Sequence, residues 1–205
     1  MVPESVLAVC AANVCRSPVI AYLASCRLRS AGFVTPPSFA SAGVSARGNV
    51  AVCHTMRSRL AGSTGWDAFA TEHRSARLTA SDVENAELIL AATADERGAV
   101  ALLRPDARTR TFTLLEAAAL AEHAVDRGIR GVAVEIAALA DTMNAQRGRI
   151  EPPQPGRWQR LQGKRADFDI PDAHTSRARH ERVFDEIDSA SRRWGAAIAT
   201  LTSPR

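Results

Sequence analysis

Ser5-Val6-Leu7-Ala8-Val9-Cys10-Ala11-Ala12-Asn13-Val14-Cys15-Arg16-Ser17-Pro18 is the stretch on which the fold turns. A short apolar run ends on a cysteine, a loop follows, and Arg-Ser-Pro opens a helix. Backbone N–H groups from Ala11 to Arg16 can curl around one point and form an anion-binding concavity. The start of the helix adds positive potential there. The Arg16 guanidinium can grip two oxygens of a tetrahedral oxyanion. Cys10 stands at the focus of this field, so its thiol is expected to ionise below the roughly 8.5 of a free cysteine. A thiolate facing a bound phosphate points to phosphate-ester hydrolysis through a phosphocysteine.

Outward from this loop, strands alternate with helices. Ser17 to Ala31 reads as a helix with Ile20, Leu23, Ala24 and Leu28 on one face, closed by Gly32. A strand is expected at Ser38 to Ala42 and a helix near Asn49 to Ala61. Glu87 to Ala92 is a buried strand, Asp95 to Leu103 a helix, Arg110 to Leu114 a strand and Glu116 to Glu122 a helix. This order predicts a parallel sheet covered on both faces, with ligands at the carboxyl ends of its strands. Val132, Ile136, Leu139 and Met143 predict one more amphipathic helix. Gly148 to Gly163, with Pro152, Pro153, Pro155 and Trp158, reads as a loop. Val183, Ile187, Ala190, Trp194, Ile198 and Leu201 form the core-facing stripe of a C-terminal helix.

The chain has 205 residues, 46% of them hydrophobic, which suits one α/β domain with an appendage. No apolar run approaches the roughly 18 residues of a membrane span, and no secretory signal is apparent. A cytoplasmic protein without a membrane partner is expected. The formal charge is +4, yet Lys164 is the single lysine and no dense basic run is interleaved with aromatics. Nucleic acid is therefore not an expected partner. Arg177, Arg179 and Arg182 are expected on a solvated helix face. Cys10, Cys15, Cys26 and Cys53 have no zinc-ligand spacing, and neither metal nor cofactor is expected. Cys26 and Cys53 are expected to pack in helices, while Cys10 and Cys15 share one tight loop and could pair on oxidation.

Val9-Cys10 followed by Asn13-Val14-Cys15-Arg16-Ser17-Pro18 resembles the phosphate loop, C-x5-R-S, of the low-molecular-weight protein tyrosine phosphatases. The chain is similar to the longer bacterial members, and the family shares its fold with arsenate reductases. Ser41-Ala42-Gly43, His73 to Thr79 and Glu87 to Thr93 continue the likeness, which covers roughly residues 5–122 and 167–201. It implies a three-layer, doubly wound, flavodoxin-like phosphotyrosine phosphatase I fold with a four-stranded parallel sheet. Residues 1–205 then form a single phosphatase-like domain with an insertion at about 124–166, either a lid or a tolerated surface segment. Cys10 is the implied nucleophile. Ala11, Ala12, Asn13, Val14, Cys15, Arg16 and Ser17 bind phosphate. Ser17 donates to the Cys10 sulfur, Asn13 holds the loop, and Ser41 and His73 anchor Asn13. Cys15 would form a reversible protective disulfide with Cys10.

Phe168-Asp169-Ile170-Pro171-Asp172-Ala173-His174 resembles the family's acid loop, and Asp172 takes the place of the proton donor. Taken alone, Asp172 reads as a turn or helix-start carboxylate. Asp169 is the alternative, able to tune its neighbour through like charge. The chain departs from the family pattern at Ala12, commonly Gly, and at Ala173 and His174, where a proline and an aromatic are usual. A rim aromatic is replaced near Arg47, and Tyr22 substitutes for neither aromatic. The expected activity is metal-independent hydrolysis of phosphotyrosine in proteins or of small aryl phosphates. Two other readings stand beside it. One is an arsenate reductase coupled to a small thiol; a thioredoxin-coupled one would need cysteines beyond Cys53. The other is a catalytically weak phosphate-binding regulatory module.

Overall fold

The computed structural model describes residues 5–29, 31, 33, 37–154, 167–172 and 177–204. Four parallel strands, β1 (Ser5–Cys10), β2 (Ser38–Gly43), β3 (Leu88–Ala91) and β4 (Thr111–Thr113), form one sheet in the order β2-β1-β3-β4. Eight helices accompany them among the described residues: α1 (Arg16–Leu28), α2 (His54–Arg59), α3 (Trp66–Glu72), α4 (Ala80–Asn85), α5 (Ala94–Leu103), α6 (Leu114–Asp126), α7 (Ile136–Asn144) and α8 (Arg177–Thr202). A 3-10 turn, Pro105–Arg110, leads into β4. The fold is the doubly wound α/β arrangement that the strand–helix alternation predicts.

Alternation along β1 explains why both sheet faces are covered. Val6, Ala8 and Cys10 belong to one buried cluster, Leu7 and Val9 to the other. In β3, Leu88 and Leu90 point to the first side and Ile89 to the second. Period-two side chains with no polar face require cover on both sides. On the first side lie Val19, Ile20 and Leu28 of α1, Leu120 of α6 and the α8 stripe Val183, Ile187, Ala190, Trp194, Ile198 and Leu201. Gly195 lets α8 approach α1 closely, since a Cβ there would lie 2.5 Å from Cβ of Arg27. The second side is thinner, with Val83 of α4 and Val100 of α5.

Two helices differ from their sequence reading. The helix expected over Asn49 to Ala61 exists only as α2. Asn49 N and Val50 N donate to Ser75, and Cys53 N donates to Val14 O at 2.9 Å, so these amides serve neighbouring segments instead of a helix. Cys53 therefore precedes α2 and is not inside a helix, whereas Cys26 lies within α1. At the other end of the sheet, α6 starts earlier than expected because Thr113 and Glu116 form a capping box. α3 was not foreseen; it buries Trp66 against Tyr22, with ring centroids 4.9 Å apart.

Of the segment expected as an insertion, about 124–166, residues 124–154 are described, and they pack on the core. Ile136, Leu139 and Met143 of α7 are fully buried in the first cluster, while Val132 precedes the helix and bonds through its N–H to Leu201 O. Arg147 stacks on Phe112 of β4 at 4.1 Å and pairs with Glu116 at 3.4 Å. Arg147 thus lies against β4, where it also donates to Thr111 O. Trp158 and the acid-loop residues Ala173 and His174 lie outside the described residues.

Candidate active site

β1 has β2 on one side and β3 on the other, so its carboxyl end opens at the point where strand order reverses. Cys10 is its last residue and is 2% exposed. From there Ala11–Cys15 curl back to α1. Asn13 carries the turn at φ 55°, a left-handed conformation that asparagine tolerates better than most residues. Among described non-glycine residues, Asn49 alone shares a positive φ. Ala12 therefore has ordinary backbone angles, and its Cβ is accommodated where the family commonly has glycine.

The loop sulfur has two close polar partners. Asn13 N donates to Cys10 Sγ at 3.3 Å, and Ser17 Oγ lies 3.1 Å from the same atom. The Asn13 side chain reaches the other way. Its Nδ2 donates to Ser17 Oγ at 2.9 Å and to Ser41 Oγ at 2.8 Å, while Oδ1 accepts from Ala76 N at 2.9 Å. His73 Nε2 donates to Asn13 O at 2.9 Å. Because a carbonyl only accepts, this bond fixes the proton on Nε2. Burial pushes the His73 pKa down, against the smaller upward pull of Asn13 O, so the ring is neutral at neutral pH. Ser17, Ser41 and His73 thus converge on Asn13.

A backbone brace closes the outer side of the loop. Val44 N donates to Cys10 O at 3.0 Å and Ser45 N to Ala11 O at 2.8 Å. Gly43 is what permits this approach. A Cβ there would lie 2.7 Å from Ala11 O, 2.8 Å from Asn13 N and 2.9 Å from Ala12 C. At the start of α1 the Cys15 side chain makes no capping hydrogen bond, so the first-turn amides are left for a ligand.

Arg16 is 5% exposed and is held from two sides. Its Nη2 lies 3.4 Å from Glu96 Oε1, with both side chains 6% exposed, and its Nη1 donates to Ile170 O at 3.1 Å. Glu96 Oε2 also accepts from the Thr93 hydroxyl. The Thr-x-x-Glu spacing reads as a helix cap, which conceals the second task of Glu96 in holding Arg16.

The segment before Asp172 is pinned to the carboxyl ends of β3 and β4. Thr113 Oγ1 donates to Phe168 O at 2.8 Å, and Ile170 N donates to Ala92 O at 2.8 Å. Asp169 Oδ1 accepts from Ala94 N at 2.7 Å, at the start of α5. Burial raises the Asp169 carboxyl above its usual range despite that bond. Its place is therefore an anchor of the loop. Asp172 follows two residues after the Arg16 contact and is exposed. Arg47 is exposed as well.

Cys15 is buried, and its sulfur faces Cys53 Sγ at 3.4 Å. The Cys53 thiol and burial push the Cys15 pKa far up. Its sulfur and that of Cys53 also meet His180 at the start of α8, a grouping that no sequence spacing announces. All four cysteines are free thiols.

Among the described residues, no helix is long and apolar enough to cross a membrane. Solved structures of similar fold include the tyrosine phosphatase Wzb from Escherichia coli K30 in complex with phosphate. It shares 19% identity over 94% of this chain and 96% of that one, with a TM-score of 0.59. The Erwinia amylovora tyrosine phosphatase AmsI shares 20% over 96% and 93%, with a TM-score of 0.60. The YwlE arginine phosphatase from Geobacillus stearothermophilus shares 21% over 95% and 92%, with a TM-score of 0.57. No curated protein matches the chain. The model of the low molecular weight phosphotyrosine protein phosphatases matches residues 5–129, more than half of the 205, and the chain therefore belongs to that family of phosphatases.

Proposed function

We propose that the chain hydrolyses phosphotyrosine or other aryl phosphomonoesters without a metal, through a phosphocysteine on Cys10. The observation that supports this reading is the Cys10 sulfur at the carboxyl end of β1, 3.3 Å from Asn13 N and 3.1 Å from Ser17 Oγ, in a short loop that leads directly to the buried Arg16 at the start of α1. The phosphate oxygens take hydrogen bonds from the backbone N–H groups of Ala11 to Ser17 and from the Arg16 guanidinium. The Cys10 thiolate attacks phosphorus in line, forming the S–P bond as the P–O bond to the leaving group breaks. Asp172 supplies the proton to the departing oxygen, then takes one from the water that cleaves the S–P bond. Ser17 donates to the sulfur as it leaves.

Supporting roles follow the contacts. Asn13 holds the loop curled, Ser41 and His73 hold Asn13, and Glu96 and Ile170 O orient Arg16. Arg47 offers no aromatic wall, so the leaving group is recognised less by stacking than phosphotyrosine sandwiched between rings. The substrate reaches the site as a phosphorylated protein or as a small aryl phosphate.

Turnover of para-nitrophenyl phosphate in the presence of a chelator tests the reading. Activity is expected in the native chain and none in Cys10→Ser. Asp172→Ala should slow phenyl phosphate more than para-nitrophenyl phosphate, because the poorer leaving group needs the proton. Equal rates for Asp172→Ala and the native chain on phenyl phosphate would remove the acid from this scheme. Phosphotyrosyl and phosphoarginyl peptides in parallel define the substrate. Reductant consumption only with arsenate would identify a reductase, and phosphopeptide binding without turnover a regulatory module.

A further inference from the structure

Behind the phosphate loop three metal-binding side chains from three elements meet. Cys15 is the last residue before α1, Cys53 immediately precedes α2, and His180 sits in the first turn of α8. The two thiol sulfurs and one imidazole nitrogen all lie within 4.8 Å of one another, and the sulfurs are 3.4 Å apart. Two zinc–sulfur bonds of about 2.3 Å at a tetrahedral angle place their sulfurs roughly 3.8 Å apart. A disulfide requires about 2.05 Å. The sulfurs therefore stand a few tenths of an ångström from chelation and more than 1 Å from a covalent bond. We propose that Cys15, Cys53 and His180 form a zinc-class metal site, with two thiolate ligands, one imidazole and a fourth position open to water.

The donor set selects the metal. Thiolate and imidazole together suit Zn²⁺, whereas Mg²⁺, Ca²⁺ and Mn²⁺ favour carboxylate and carbonyl oxygens. Burial suits it too. Cys15 is buried while Cys53 and His180 are half-buried, so the site is reachable from solvent. The three elements are already fixed relative to one another. Cys53 N–H donates to Val14 O at 2.9 Å, and Arg59 of α2 pairs with Glu181 of α8 at 3.2 Å. Little ordering remains when the ion arrives. Binding releases the two thiol protons to solvent and leaves the ion as Zn²⁺, so no oxidant or reductant takes part. The bound ion ties Cys15, at the end of the loop, to the starts of α2 and α8. This inference does not rest on Cys10 being a nucleophile.

Titration of the reduced, metal-stripped full chain with Zn²⁺ against a chromogenic chelator tests it. One equivalent should bind. Cys53→Ser and His180→Ala should each weaken binding by at least about 100-fold, the upper end of what loss of an outer-shell partner costs. Cys10→Ser should bind zinc as the native chain does. Co²⁺ should give thiolate-to-cobalt charge-transfer absorption in the native chain and in Cys10→Ser. Circular dichroism identifies a variant that fails to fold; His180→Gln, which keeps the side-chain bulk, then takes the place of His180→Ala. Native-like zinc affinity in the folded Cys53 and His180 variants, or its loss in Cys10→Ser, would put the ion on the catalytic loop sulfur and overturn the site. So would the lack of one-to-one binding at micromolar zinc.

Discussion

Among the described residues, three helices begin at the carboxyl end of a strand, and they begin in two different ways. After β3 and β4, Thr93 and Thr113 accept from the amides of Glu96 and Glu116, so α5 and α6 satisfy their own first turns. After β1 the chain instead inserts Ala11–Cys15, and the side chain at the N-cap makes no such bond. Open amides at a helix start are costly unless something else pairs with them. At α5 and α6 the partner is part of the chain. At α1 the uncapped first turn follows directly on the loop from Cys10 and begins with Arg16, and neighbouring residues fix that loop. Gly43 lies flush against the loop, Asn13 is bonded at both ends of its amide, and Glu96 aligns Arg16 from within the capped start of α5. The closed helix start thus supports the open one.

Disturbing the open end should cost most. Gly43→Ala sets a Cβ against three backbone atoms of the loop, and displacement by about 1 Å at a positioned site costs about 100-fold in rate. A kcat/KM for para-nitrophenyl phosphate within twofold of native would contradict this. Glu96→Gln keeps the shape but removes the charge beside Arg16 and replaces one accepting oxygen with an NH2; it should lower kcat/KM about tenfold, equivalent to about 1.4 kcal/mol. Unchanged kinetics would mean that Ile170 O alone orients the guanidinium.

A cap remote from the loop gives the opposite outcome. Thr79 and Asp82 form the capping box of α4, and Thr79→Ala should cost about 1 kcal/mol of stability in urea unfolding while leaving turnover as it was. A kinetic defect there would mean that α4 communicates with the site. The smallest effect concerns pH. His73 is held neutral by burial, so its folded pKa lies below its ordinary value of 6.5. Above that value neither state binds the proton. As pH falls below it, the unfolded chain takes up the proton first and stability declines. His73→Gln should flatten this part of a stability–pH curve, measured by denaturation between neutrality and mild acid.

How much was legible follows from the range of the interactions. The β1–loop–α1 unit is written in adjacent residues, so its shape and chemistry could be read directly. The stripe Val183 to Leu201 was equally legible, because a 3.6-residue period records its own buried face. The Asn49 to Ala61 reading failed where amides at 49, 50 and 53 found partners at Ser75 and Val14, which helical periodicity does not report. Asp169, the alternative to Asp172, accepts from Ala94 N at the start of α5, a contact that no local pattern announces. Asn13 carried a local signal, whereas Gly43 gave none of its own; its need is visible only from the atoms opposite.

Adjacent residues by themselves determined the strand–loop–helix unit that sets Cys10 at a strand end and Arg16 at a helix start, since an apolar run, a short loop and Arg-Ser-Pro are local signals. The tertiary structure alone decided that Glu96 would steady Arg16 and that α7 would pack against α6 and the turn before β4. It alone brought Cys53 and His180 to Cys15. Those pairings depend on how helices cross a twisted sheet, and separation along the chain carries no record of that geometry.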